Sequence, residues 1–395
     1  MTAGHEGPTT VIDPFSAELA RDPYGTYRDL RELGRAVWVS SHNIWLLTRY
    51  DDVRAAALDW ESYSSAQGVG LLEDFSRPLV GGILASDPPR HDVLRAVLAD
   101  KLAPRALGAL RADIRTSVDA MVASAVDKGT FDAVSELCQR IPVTIVADLI
   151  GLPDDGREVL LPGADAVFTT FGPETPLLRE RMSAFHDYFA WMSGFTDASS
   201  LRPGSWGAHV FRAVEQGRIS GSDAVNLIRA FLVAGMDTTA NALGWLIQVL
   251  ATRADVWAAW AAAPQLGSSL FEETLRTQSP VQGFFRVATT DIRYGTAVVR
   301  TGEKVLLHFG IANRDERKYP LPDIFQIDRN PLDHLAFGYG VHACAGQGLA
   351  RMEADALVAA MHRHVRSITA LEEAVLHVNP VVRGLASLRV AVEPR

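Results

Sequence analysis

HLAFGYGVHACAGQGLAR, residues 334–351, holds one of only two cysteines in 395 residues. Glycines at 338, 340 and 346 surround Cys344, and the pattern turns helical after it despite Gly346 and Gly348. The sulfur therefore sits at or just before a helix N-terminus, where free amide groups favour a thiolate over a thiol. The missing side chains permit a tight turn and let something flat and bulky approach the backbone. Amide groups near the sulfur would soften its charge and so tune a metal bound to it.

Plainer readings compete. A lone cysteine is most often a small buried hydrophobe. That fits Cys138, in the amphipathic pattern SELCQRIP, better than it fits Cys344. A zinc site would need more ligands than His334 and His342. A thiol nucleophile could use His342 as its base, but nothing else signals acyl transfer.

Hydrophobic residues make up 48% of the chain and charged residues 22%, the balance of a folded protein. A net charge of −9 offers no bulk attraction to nucleic acid or to an anionic membrane. The start, MTAGHEGPTTVIDPFSAELARDPYG, has no apolar run, so neither a signal peptide nor a membrane anchor is expected there. Two cysteines make no disulfide framework. C-x-x-C-H is absent, which removes the usual covalent haem signature, and a reducing cytoplasm fits best.

Residues 1–20 read as an irregular arm, and 22–34 as a helix stopping at Gly34. AVWVS (36–40) and IWLLT (44–48) read as a hairpin, and DDVRAAALD as a helix capped by Asp51. DPPRHDVLRAVLADKLAP (87–104) opens on two prolines and continues helically. Long helices follow, broken near Gly129, Gly151–Pro153, Gly172–Pro176 and Pro203–Gly207. Strand patterns return after Pro280 in VQGFFRVATTDI and TAVVRTGEKVLLHFG, and again in VVRGLASLRVAVE (381–393). The expectation is a mainly α chain with a small, late β portion, residues 1–395 forming one domain.

FGYGVHACAG, residues 337–346, resembles the haem-binding loop of the cytochrome P450 superfamily at ten ordered positions. The resemblance implies that family's triangular, helix-rich fold and a haem b cofactor. Cys344 is then the axial thiolate, whose electron push favours O–O cleavage. Phe337 packs beside the loop on the proximal side, and His342 hydrogen-bonds a haem propionate.

Three further segments carry the same resemblance in family order. In FEETLR (271–276), Glu273 and Arg276 share a helix face. As a surface pair they would be worth about 0.3 kcal/mol. Their position resembles the family's E-x-x-R element, a buried network behind the haem, with Arg329 of IDRNP as its third member. DAVNLIRAFLVAGMDTTANALGWLIQVL (223–250) reads as one long apolar helix. Its Asp237, Thr238 and Thr239 cost desolvation unless partnered, and a Thr hydroxyl can bond a preceding carbonyl and bend the helix. The resemblance makes this the distal helix, with a groove at Ala234–Gly235 and Gly235 leaving room for dioxygen. Thr238 then serves the bound oxygen and a water, Asp237 relays protons, and Thr239 bonds locally. An acid–alcohol pair suits a reaction that takes up two protons. In DPPRHDVLR (87–95), His91 and Arg95 share a face that would otherwise be a solvated basic one. The resemblance gives both a propionate, with Arg286 of GFFRVAT as another partner.

The resemblance implies insertion of one oxygen atom by a cytoplasmic, monomeric enzyme. Electrons come from a ferredoxin and its NAD(P)H-dependent reductase. SSAQGVGL (64–71), AVFTTFGPE (166–174) and SPVQGFFR (279–286) further resemble soluble bacterial members that oxidise para-substituted benzoates, notably by O-demethylation. Phe168 and Phe171 would sandwich a small aromatic ring, with Phe284 and Val281 closing the pocket from the β side and Ala234 on the central helix. The chain departs from that group at three places. Gln67 stands where the group typically has an arginine, and Ala230 and Val233 where it has serines, although Arg229 remains beside them. A buried carboxylate without donors is costly. The expected reaction is therefore O-demethylation of a neutral, lignin-derived methoxyphenol of the guaiacol or syringol kind, releasing formaldehyde, with Gln67 bonding an oxygen of the ring substituents. Benzoate O-demethylation comes second and terpenoid hydroxylation third. A haem sensor that oxidises nothing is the competing class, and Asp237 and Thr238 argue against it.

Overall fold

Ser220 starts the longest helix of the chain. Its hydroxyl accepts from Asp223 N at 3.1 Å, and the Asp223 carboxylate accepts from Ser220 N at 2.9 Å, a reciprocal cap. The helix then runs from Gly221 to Thr252. It is long and apolar enough to cross a membrane, yet 72% of that span is buried inside the protein, so it is a core helix. The computed structural model that shows this describes residues 5–395.

Helices Arg140–Ile150, Leu160–Thr169, Trp206–Glu215 and Gly267–Gln278 pack on this central helix. Pro104–Val126 lies against Gln347–His364, the helix that follows the cysteine. The expected breaks stop helices for identifiable reasons. Gly151 takes a left-handed conformation at φ +90° to end Arg140–Ile150. Thr175 caps Pro176–Met192, with Pro176 at a position whose N–H needs no partner.

The β portion is small. A six-stranded sheet runs, edge to edge, Thr9–Thr10, Ala36–Val39, Ile44–Leu47, Lys304–His308, Gly283–Ala288 and Tyr63–Ser64. A second sheet joins Val365–Ala370, Arg389–Pro394 and Thr130–Asp132. Val375–His377 and Gly384–Ser387 form a separate hairpin in which His377 faces Gly384. The architecture is the expected one, mainly helical with a minor β share.

Two local readings change. The N-terminal arm is partly ordered, with a strand at Thr9–Thr10 and a helix at Ala17–Arg21 capped by Ser16. Asp51 does not cap the helix Tyr50–Leu58 but lies in its first turn. The carboxylate of Asp315 takes the Tyr50 N–H instead, at 2.9 Å, so a distant residue supplies what a local one was expected to give.

Candidate active site

Cys344 N donates to Phe337 O at 2.7 Å and closes the loop on itself. Gly338 and Gly340 adopt φ +66° and +70°, and a side chain on Gly340 would strike the carbonyl of Ala57. The following helix begins at Gln347. Burial pushes the Cys344 thiol up, while the amides of Gly346 and Gln347 and the charges of Arg95 and Arg351 only partly pull it back. The amides thus act in the expected direction, favouring the thiolate, but burial opposes them. A metal cation on the sulfur would complete the ionisation. Cys138 is fully buried and inert, its thiol raised by burial.

Two neighbouring carboxylates of helix Gly267–Gln278 hold this region. Arg276 forks onto Glu273 with Nε–Oε2 at 2.7 Å and Nη2–Oε1 at 2.8 Å, and Arg329 Nε donates to Oε1 at 3.1 Å. The expected triad is thus assembled, with Glu273 and Arg276 fully buried. Glu272 was not singled out in the sequence. It receives Arg351 Nε at 2.6 Å and faces His334 Nε2 at 3.0 Å. One carboxylate ties down both ends of the cysteine stretch.

A cavity of about 470 Å³ separates the cysteine loop from the central helix. Cys344 and Phe337 line one side, and Ala234, Gly235 and Thr238 the other. His91, Arg95, Arg286 and His342 also line it. His342 Nε2 is buried and has no partner among the described residues. Its ring meets that of His91 at 4.6 Å, edge to face. Burial, then Arg286, His91 and Arg95, push the His342 imidazole down to about 2. Burial likewise lowers Arg286 to about 10, with Asp87 pulling the other way. Asp92 Oδ1 sits 3.1 Å from His91 Nδ1. Cationic and N–H-bearing groups converging on a cavity fit an anionic guest. With a thiol at the cavity floor, these residues fit haem b: His91, Arg95, Arg286 and His342 would hold its propionates and Cys344 would hold its iron.

The central helix divides its polar residues between two faces. Thr238 lines the cavity, and its hydroxyl donates to Ala234 O at 2.6 Å. The helix bond expected of Thr239 is thus made by Thr238, which keeps its oxygen lone pairs for a donor in the cavity. Asp237 does not line the cavity. It is buried behind the helix, with Oδ1 taking Asn241 Nδ2 at 3.2 Å and Oδ2 unpartnered among the described residues. Burial above all, and the nearby charge of Asp165, push its carboxyl up to about 7, against His377, Arg181 and the Asn241 bond. Such an acid exchanges a proton near neutral pH. A Cβ on Gly235 would meet Val146 at 3.2 Å, so this glycine serves close packing against helix Arg140–Ile150 while its backbone borders the cavity.

Phe168, Phe171, Phe284, Val281, Ala230 and Val233 all line the cavity, as expected. Phe168 and Phe171, however, pack on each other edge to face at 5.8 Å, and Phe171 on Phe284 at 5.9 Å. They form one aromatic wall rather than a sandwich, because the turn that ends helix Leu160–Thr169, with Phe171 N donating to Phe168 O at 3.1 Å, folds Phe171 back onto Phe168. Gln67 is a correction. It is exposed and does not line the cavity, since the Ser65–Gly68 turn, with Gly68 at φ +107°, carries it outward. Arg229 does line it, with Nε buried and unpartnered among the described residues. Glu353, on the helix after the cysteine, also lines the cavity, and neither of its buried oxygens has a partner among the described residues. Its helical setting in the sequence gave no sign of this.

A profile described as Cytochrome P450 matches residues 267–374. Cytochrome p450 CYP199A2 of Rhodopseudomonas palustris is 36% identical across 98% of this chain and 95% of its own. Beta-dihydromenaquinone-9 omega-hydroxylase of Mycobacterium tuberculosis is 34% identical across 98% of this chain and 79% of its own. The solved structure of P450BioI with an acyl carrier protein superposes with a TM-score of 0.86 at 25% identity, covering 95% of this chain and all of that one. The thiol-floored cavity, the buried carboxylate–arginine triad and these relatives agree, and the chain belongs to the cytochrome P450 monooxygenase family, whose cofactor is haem b.

Proposed function

We propose that this chain catalyses oxidative O-demethylation of a small neutral methoxy-aromatic, giving a phenol and formaldehyde. The carrying observation is the apolar wall of Phe168, Phe171, Phe284, Ala230 and Val233 along a cavity of about 470 Å³. Much of that volume belongs to the cofactor, so the remainder suits one ring better than a polycycle. Haem b, when bound, supplies dioxygen reduction and oxygen insertion. The aromatic wall orients a planar ring edge to face and excludes water. Thr238 holds a water or hydroxyl group against the groove, and Asp237 exchanges protons from behind the helix. Electrons for a family member come from a redox partner, here a ferredoxin with its NAD(P)H-dependent reductase. The enzyme works as a cytoplasmic monomer, residues 1–395 acting as one domain.

A second reading rests on Arg229. Arg229 lines the cavity with its Nε unpartnered among the described residues and its guanidinium over the Phe189 ring, so a para-substituted benzoate would find one cation there. Against it, Ala230 and Val233 offer no hydroxyl beside that cation. Titrating the Soret band of the ferric haem-loaded protein with 2-methoxyphenol, 2,6-dimethoxyphenol and 4-methoxybenzoate separates the two. A shift to shorter wavelength with the phenols alone supports the neutral substrate. A shift with the benzoate alone, lost in Arg229→Met, overturns it.

A further inference from the structure

A second group of titratable side chains lies behind the central helix, away from the cavity. Asp165 on helix Leu160–Thr169 receives Arg181 Nε at 2.8 Å from helix Pro176–Met192, and Asn379 Nδ2 at 2.8 Å. His377 Nε2 lies 2.7 Å from the same carboxylate. Arg181 also donates to Thr169 Oγ1 at 2.7 Å and to Val378 O at 2.8 Å. The cluster joins the helix that carries Phe168 to its neighbour and to the hairpin Val375–Ser387. Across that hairpin His377 faces Gly384, and any side chain at 384 would strike Asn241. Asn241 Nδ2 donates to Asp237 O at 2.8 Å.

A small crevice of about 30 Å³ opens here, lined by Ser16 of the N-terminal arm and by His377, Asn379, Arg383 and Gly384. That is room for about one water among polar partners. The His377 side chain is 21% exposed, so solvent reaches it. Gly384, at the crevice wall, packs against Asn241, and Asn241 in turn bonds the carbonyl and Oδ1 of Asp237.

We propose that His377 is a positioning residue of the proton relay: with Arg181 it neutralises Asp165, on the helix packed against that of Asp237, from the mouth of a water-sized crevice. This rests on the reading of Asp237 as the proton-exchanging acid. The charges acting on His377 are those of Asp165, which it contacts, and of Asp237 and Arg181, from three helices, and Arg383 lines the same crevice. Burial lowers the imidazole, but the bond to Asp165 and the charges of Asp165 and Asp237 more than restore it, so it is held above its ordinary value. A charged His377 offsets Asp165 and eases ionisation of Asp237. A neutral His377 leaves Asp165 to hold the Asp237 proton in place.

The test follows the infrared band of the protonated Asp237 carboxyl against pH in the haem-loaded protein, the band being assigned by its loss in Asp237→Asn. His377→Gln keeps a donor toward Asp165 but removes the charge. Its Asp237 midpoint is expected to rise by about one pH unit. Adding Asp165→Asn is expected to bring the midpoint back to or below the parent's, which a merely structural role would not do. An unmoved midpoint in His377→Gln, with turnover still impaired in Asp237→Asn, overturns the proposal alone. Unimpaired turnover in Asp237→Asn overturns the reading beneath it.

Discussion

His334 and Arg351, the two ends of the cysteine stretch, meet on one carboxylate. Glu272 is 3.0 Å from the imidazole and 2.6 Å from the guanidinium, and its side chain is 1% exposed. The loop that presents Cys344 is therefore pinned at both ends to helix Gly267–Gln278, which also carries the Glu273–Arg276 fork.

Glu272→Gln should loosen this clamp. Removing one partner of a buried pair leaves uncompensated charge and costs about 3 kcal/mol. The expected result is a lower midpoint in urea and a smaller thiolate signature in the reduced carbon monoxide spectrum. Burial pushes the Glu272 carboxyl up, but the bonds from His334 and Arg351 overcome it and hold the carboxyl below its ordinary 4.5. A depressed carboxylate stabilises above its ordinary value and loses that contribution as pH falls. The parent should thus lose stability more steeply than Glu272→Gln below about pH 4.5.

Glu353 behaves in the opposite sense. Burial alone raises its carboxyl well above 4.5. A group with a raised folded value stabilises at low pH and withdraws that contribution as pH rises. Glu353→Gln, which cannot ionise, should flatten the loss of stability above pH 4.5 and leave the protein at least as stable as the parent at neutral pH. Urea unfolding at several pH values reads this directly.

Gly340→Ala should be poorly tolerated. The new methyl meets the Ala57 carbonyl, and φ +70° is strained for any side chain. A loss of about 2 kcal/mol is expected. Gly295→Ala, also at positive φ (+66°) but with open space around it, should lose less. Thermal unfolding of the pair separates the clash from the dihedral cost.

Thr238→Ala should leave haem loading intact, because among the described residues Thr238 bonds only the Ala234 carbonyl of its own helix. Product formed per electron pair supplied should fall by about a hundredfold or more as hydrogen peroxide rises, the order expected when a group that positions a proton is lost. Asp237→Asn should slow turnover and remove the change in activity near pH 7 that is expected from the raised Asp237 carboxyl.

Much of this was legible in the chain. Ten ordered positions around Cys344 announced the loop, and the three-residue spacing of Glu273 and Arg276 announced the fork. Glu272 was not legible, since its partners lie 62 and 79 residues away and no spacing rule links them. His377 was hidden for the same reason: it reaches Asp165 across 212 residues. Gln67 misled because a loop position says which residue is present but not which way the turn points it. Thr238 lines the cavity as expected and also makes the local bond expected of Thr239, while Thr239 lines the cavity beside it; which hydroxyl turns back to its own helix depends on side-chain torsion, which sequence does not give.

The second sheet also dictates when the site can exist. Its strand Arg389–Pro394 pairs with Thr130–Asp132, Arg389 opposite Asp132 and Ala391 opposite Thr130. The helix Pro104–Val126 must wait for Gln347–His364 to cover it. Contacts this remote in sequence form late and slowly. During synthesis residues 104–132 therefore go without these partners until residues 347–394 have been made, and the cysteine side of the cavity closes only after that.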